Sequence, residues 1–126
     1  MKKLMFILSV MTFAVMFTAC KKQPVEVTKE KQITVDYVAN GLTLAHAGPY
    51  YFDFSLNDII EIDLWSKTGS NTVGWKALPF SYEGDYYYYQ VSNNAIYFYC
   101  KVKDGYVFTT DFSIGAKIRY KTLEYN

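Results

Sequence analysis

The strongest constraint on how this chain folds is a two-residue alternation of apolar and polar side chains that begins at Ile33 and runs almost to the last residue. Ile33, Val35 and Tyr37 alternate with Thr34 and Asp36. Tyr50, Phe52, Phe54 and Leu56 alternate with Tyr51, Asp53 and Ser55, and Ile60, Ile62 and Leu64 with Glu61, Asp63 and Trp65. That period sends successive side chains to opposite faces of a strand, and no stretch beyond residue 20 keeps a helical one. Turn signals punctuate it at Asn40-Gly41, Gly48-Pro49, Asn57-Asp58, Glu83-Gly84-Asp85, Asn93-Asn94 and Asp104-Gly105. Val73–Phe80, interrupted by Gly74 and ended by Pro79, reads as an edge strand. The pattern predicts an all-β domain of about eight or nine short strands, an antiparallel immunoglobulin-like β-sandwich or a small barrel.

Nothing covalent staples these strands. Cys20 and Cys100 are the only cysteines, too few for a disulfide framework, so apolar burial must hold the fold. Aromatic residues supply the area, with 13 Tyr, 9 Phe and 2 Trp, each burying roughly 150–250 Å² when enclosed. Three of the Phe lie in the first 20 residues, so tyrosine dominates the rest.

The tyrosines concentrate where the turn chemistry also sets a register. With Asn93-Asn94 as a two-residue loop, Val91 faces Ile96, Tyr89 faces Phe98 and Tyr87 faces Cys100 on one side of the sheet. Tyr88 then faces Tyr99, and Gln90 faces Tyr97, on the other. A tight turn at Asp104-Gly105 would add Val102 opposite Val107 to the first side, and Lys103 opposite Tyr106 and Lys101 opposite Phe108 to the second. The first side is core. The second gathers Tyr86, Tyr88, Tyr97, Tyr99, Tyr106 and Phe108 with Gln90, Lys101 and Lys103, a mixture that meets water. Tyrosine is a good strand former that shields backbone while its hydroxyl stays wet. It is also a rigid contact residue at low entropic cost, which makes this face a candidate platform for a protein or glycan ligand.

The N-terminus carries an address. Lys2 and Lys3 precede an apolar run from Leu4 to Phe17, and small residues lead to Cys20. This is the layout of a secretory signal, too short to span a membrane stably. Phe17-Thr18-Ala19-Cys20 resembles the lipobox of bacterial lipoproteins. That resemblance implies a signal peptide at 1–19, cleavage before Cys20, diacylglycerol on its sulfur and a palmitate-type acyl chain on its amine. The chain would then be held in the cell envelope by its lipid, with 20–31 a lipidated, flexible tether and 32–126 the all-β domain. Lys21, where Asp commonly marks inner-membrane retention in that family, implies the outer membrane, and the lack of the acidic run that some lineages use as a surface-export tag implies its periplasmic face. The whole chain carries a net charge of +1; without Lys2 and Lys3, 11 basic face 12 acidic side chains. A balance so near neutral points away from nucleic acid as a partner.

Candidate chemistry is sparse. His46 is the only histidine and reads as a turn residue, and no spacing of His, Cys, Asp or Glu suggests a metal or cofactor. Cys100 reads as an inert buried thiol. Glu61 and Asp63 stand two apart on one strand face, as paired carboxylates of a hydrolase could, although alternating acids on a strand usually form its solvated face. These residues point to a binding protein rather than an enzyme. Asp53-Phe54-Ser55-Leu56 recurs as Asp111-Phe112-Ser113-Ile114, and the following acids Glu61 and Asp63 have basic counterparts in Arg119 and Lys121. Were the two segments neighbours, these charges would pair across strands. Finally, Ser70-Asn71-Thr72-Val73-Gly74-Trp75 resembles the Thr-Gly-aromatic loop of chagasin-like cysteine-peptidase inhibitors, which implies an envelope inhibitor or immunity-type protein as the alternative function.

Overall fold

The computed structural model describes residues 23–68 and 71–125, so the signal peptide and the lipidation site expected at Cys20 lie outside the described residues. Among these, eight strands form: β1 (Pro24–Tyr37), β2 (Leu44–Tyr50), β3 (Ile59–Thr68), β4 (Asn71–Ala77), β5 (Phe80–Tyr82), β6 (Asp85–Ser92), β7 (Ala95–Lys101) and β8 (Phe112–Tyr125). They build two antiparallel four-stranded sheets, ordered β1-β8-β3-β4 and β2-β7-β6-β5, which are not closed into a barrel. The fold is a β-sandwich. It belongs to the unit Thr28–Thr122; the described residues of a second unit, 23–27 and 123–125, are extended chain.

The alternation does what its period requires. Val35 and Tyr37 of β1, Ile62 and Leu64 of β3 and Ala116 and Ile118 of β8 are buried from the first sheet. They meet Ala45 and Ala47 of β2, Phe80 of β5 and Ile96, Phe98 and Cys100 of β7 from the second. Alanines on β2 leave room for the larger side chains, and rings pack within each layer: in the first sheet Tyr37 stacks on Phe112 at 4.7 Å between centroids, and in the second Phe98 meets Tyr50 edge-on at 5.7 Å. Each such large apolar side chain contributes roughly 1.5–3 kcal/mol by leaving water.

Several expectations change where the chain passes between sheets. Strand β1 starts at Pro24, so most of the segment read as a tether is strand; its Lys and Glu side chains suit an edge, where charge discourages further pairing. Past Tyr50, no strand forms over 51–56. The β2–β7 register shifts between Ala47 and Tyr50, next to Pro49, which has no N–H to give. The chain then crosses to the first sheet through a 3₁₀ turn at Leu56–Asp58, where the Ser55 hydroxyl accepts the Asn57 N–H at 3.3 Å. Phe52, Phe54 and Leu56 still point inward as expected, packed against the core. The predicted edge strand over 73–80 divides at Leu78-Pro79 into β4 and β5, each an edge of a different sheet. Ile60, expected inside, is exposed because the β3–β8 register shifts between Ile59 and Glu61.

The repeated segments do meet, in part. Glu61 lies opposite Arg119 and forms an ion pair with it, as charge inversion predicts, but Asp63 lies opposite Lys117 rather than Lys121. The echo itself does not make equivalent structure. Phe54 sits in the crossing loop and stacks on Tyr120, whereas Phe112 opens β8.

Candidate functional site

The β6–β7 hairpin turns on Asn93 and Asn94, both left-handed at φ 53° and 63°. Two such residues form the turn whose twist matches paired strands, and short polar side chains tolerate it. The resulting register pairs Tyr87 with Cys100, Tyr88 with Tyr99, Tyr89 with Phe98, Gln90 with Tyr97 and Val91 with Ile96, every pair as read from the sequence. Tyr86, Tyr88, Tyr97 and Tyr99 therefore share the outer face of the second sheet. Tyr86 is 41 % exposed, and the others are half-buried against one another.

These rings form a run. Tyr86 stacks on Tyr88 at 5.4 Å and 29°, and Tyr88 stacks on Tyr99 at 5.2 Å and 23°. Strand β2 extends the face with residues that sequence reasoning missed: His46 lies opposite Tyr99 and Leu44 opposite Lys101, both exposed. His46 is thus a strand residue, not a turn residue. The small, buried Ala45 and Ala47 that flank it were the available signal, since they force His46 outward. At the far end Gly48 takes φ +115°, and a Cβ there would stand 2.8 Å from the Ile96 carbonyl oxygen and 3.3 Å from Tyr97 Cδ2. Only glycine lets the chain bend that close to Tyr97.

The other end of the run is built by two turns. Lys103 packs its stem on Gly84, its N–H donates to Asp85 Oδ1 at 2.9 Å, and its ammonium lies 4.3 Å above the Tyr106 ring. Lys101 pairs with Asp104 at 3.4 Å. An open hollow of about 670 Å³ lies here between Glu83, Asp85, Lys103 and Tyr106.

Phe108 does not join the face. The turn at Asp104-Gly105 forms, with the Tyr106 N–H donating to the Lys103 carbonyl at 3.2 Å, but no strand follows over 106–110. Phe108 instead exchanges backbone hydrogen bonds with Gly41 and Leu42, of 2.7 and 2.9 Å, and its ring turns to the core beside Phe112 at 5.4 Å. Asp111 explains the diversion. Its carboxylate accepts the N–H groups of Ala39 (2.8 Å) and Asn40 (2.9 Å), tying the segment to the β1–β2 turn and away from β7. Those bonds hold the Asp111 carboxyl below its ordinary range. Val107, expected in the core, is left exposed by the same diversion, and Val91 is exposed at the hairpin end.

The remaining candidates are placed elsewhere. Cys100 is free and buried, and burial pushes its thiol up to about 12 despite a hydrogen bond shared with the Tyr87 hydroxyl. Burial likewise raises Tyr87 and Tyr37 above the usual phenol range. Among the described residues the Tyr37 hydroxyl has no hydrogen-bond partner. Glu61 is engaged by Arg119, and Asp63 is 9 % exposed, its Oδ1 without a hydrogen-bond partner among the described residues. The loop compared with chagasin-like inhibitors is mostly strand β4 from Asn71 on, and Ser70 lies outside the described residues. Among the described residues, no three His, Cys, Asp or Glu side chains are grouped to hold a metal.

No family model, curated protein or solved structure matches the chain. Its function must therefore be argued from the site. What the site offers is a strip of phenol edges and hydroxyls between two ends, one closed on Gly48 and the other opening into the hollow at Lys103.

Proposed function

We propose that this protein is a lipid-anchored β-sandwich of the bacterial cell envelope that binds a protein partner through the tyrosine face of its second sheet. The anchor rests on the lipobox-like Phe17-Thr18-Ala19-Cys20, the outer membrane on Lys21, and its periplasmic side on the lack of an acidic run after Cys20. The recognition role rests on the Tyr86–Tyr88–Tyr99 stack.

The stack also bears on the kind of ligand. Sugars bind aromatic side chains by laying C–H groups on an open ring face. Tyr88 is stacked on both Tyr86 and Tyr99, so part of its ring surface is already taken up. The run presents edges and hydroxyls, which suits hydrogen bonding and close packing with a polypeptide surface, the contact mode in which tyrosine is enriched.

Tyrosine nitration mapped by mass spectrometry tests this on the full chain, once in native envelope membranes and once purified. Protection of Tyr86, Tyr88, Tyr97, Tyr99 and Tyr106 in the membranes, relieved on purification, is the expected result, with Tyr37 unreactive in both. Equal reactivity in both settings overturns the reading. Protection of the purified chain by soluble cell-wall glycan fragments would replace the protein partner by a glycan. Cys20→Ala tests the anchor; a variant that still carries acyl chains ends that part of the proposal.

A further inference from the structure

Strand β1 starts at Pro24, and the residue assigned the lipid is Cys20. Four residue steps separate them, and an extended chain covers no more than about 3.6 Å a step, so β1 begins within about 14 Å of the acylated residue. A lipid that enters the bilayer at Cys20 therefore keeps the first residues of β1 beside the headgroups, a layer roughly 5–7 Å deep on each side of the hydrocarbon, however 21–23 are arranged. What those residues expose then bears on the membrane surface.

They expose apolar side chains. The compact unit that holds 23–27 and 123–125 presents Val25 at 44 % exposure, Leu123 at 56 % and Tyr125 at 70 %. None of the three is among the described residues that form the core or pack against it. Leu123 and Tyr125 stand two apart on β8 and so share a face. Tyr125 has a ring to lay among acyl-chain ends and a hydroxyl to keep with the headgroups, the combination that gathers tyrosine at membrane interfaces. Lys21 and Lys22 directly follow the acylated residue, where anionic headgroups attract them. The acids nearby, Glu26 and Glu124, are both engaged in interactions of their own.

We propose that Val25, Leu123 and Tyr125 form a membrane-docking tip that seats in the headgroup layer of the bilayer holding the Cys20 lipid. The inference rests on the lipid anchor proposed above and is independent of the tyrosine face. Reach favours lipid over a protein partner here, because a soluble protein covering the tip would have to fit between these residues and a surface that the anchor keeps a few residues away. Docking of this kind fixes what the lipid alone leaves free, the orientation of the strand ends on the membrane.

The test labels Leu123→Cys, acylated at Cys20, with an environment-sensitive fluorophore; buried Cys100, its thiol pushed up to about 12, does not compete. Single copies are placed in vesicles of phosphatidylethanolamine and phosphatidylglycerol in which part of the lipid carries a nitroxide at the top of its acyl chain. Quenching of at least twofold is expected, and Tyr125→Asp in the same chain should cancel most of it. Should that chain lose its strand signal in circular dichroism, Val25→Asp takes its place. Anchoring alone would bring the label equally near the lipid in both chains, so equal quenching overturns the docking. An acylated, vesicle-bound chain whose label is not quenched overturns it as well; both results leave the anchor standing. Quenching that appears only when many copies share a vesicle gives the tip to a second copy and overturns it too. A chain found without acyl groups removes the anchor and the docking together.

Discussion

The outer faces of the two sheets solve the same problem in opposite ways. On the first sheet, Glu61 pairs with Arg119, and Lys117 reaches Glu30 at 3.5 Å while lying 4.6 Å above the Trp75 ring. Each of these charges has its counterpart within the sheet. On the second, the tyrosine stack joins His46 and Leu44 in a strip whose centre is polar through hydroxyls and an imidazole, with charge gathered at one end in Lys101, Lys103 and Asp104. A face whose charges are matched internally gains little from a partner, because binding would have to desolvate pairs already made. A strip of rings with hydroxyl tips loses little on desolvation and gains packing area. That contrast is why the second sheet, not the first, is assigned the partner.

The largest expected effect separates the two sides of that second sheet. Phe98→Ala removes a fully buried ring beneath the stack and should cost about 3–5 kcal/mol in denaturant unfolding. Tyr88→Ser, one register position away on the outer side, should cost about 1 kcal/mol, the worth of lost ring stacking, and should abolish the membrane-dependent nitration protection. Comparable costs for the two variants would make the tyrosine face part of a core and break the contrast.

Next comes the seam where the sheets meet. Tyr37 of the first sheet buries a hydroxyl with no partner, near Tyr87 and Cys100 of the second. Tyr37→Phe should stabilise the fold by about 1–2 kcal/mol, since an unmet buried hydroxyl is a net cost. The sign with pH follows. Burial raises Tyr37, Tyr87 and Cys100 above their unfolded values, so the stability they contribute is whole below about pH 8.5, where unfolded thiols begin to ionise, and falls as pH rises. Melting temperature followed from pH 7 to 11 should decline in the parent chain and less steeply in Tyr37→Phe; parallel curves would remove Tyr37 from the account. Smaller still, Glu61→Gln should cost under about 1 kcal/mol and less at high salt, because its pair with Arg119 is about a third exposed.

What the sequence shows of all this is local. Apart from the start of β1, read as a tether, strands were legible from alternation, and the β6–β7 register from two asparagines, because turn chemistry and period act between near neighbours. The crossings were not. Nothing near Tyr50–Leu56 says that the chain leaves one sheet for the other, so inward alternation there looks like strand although it is a loop capping the core. Phe108 was misplaced for the same reason: the carboxylate that draws its segment aside, Asp111, acts on Ala39 and Asn40, some seventy residues earlier.

Asp111 gives the finest test, because it decides how far the tyrosine face extends. Its carboxyl is held below the ordinary range by the Ala39 and then the Asn40 N–H groups, so its contribution is present above the unfolded value of about 3.9 and is lost as pH falls through the lower folded value. Asp111→Asn keeps a carbonyl oxygen that can accept those bonds but has no proton to gain; its stability near pH 7 should fall slightly and its acid limb should be flatter than the parent's. Asp111→Ala loses the acceptor altogether, should be the less stable of the two at pH 7, and should free the segment over 106–110. Nitration of Tyr106 ought then to quicken in Asp111→Ala and stay unchanged in Asp111→Asn. Acid limbs of equal slope in all three chains would mean that the carboxylate does not hold the segment off β7, and the boundary of the tyrosine face at Lys103 would have to rest on the Gly84 contact alone.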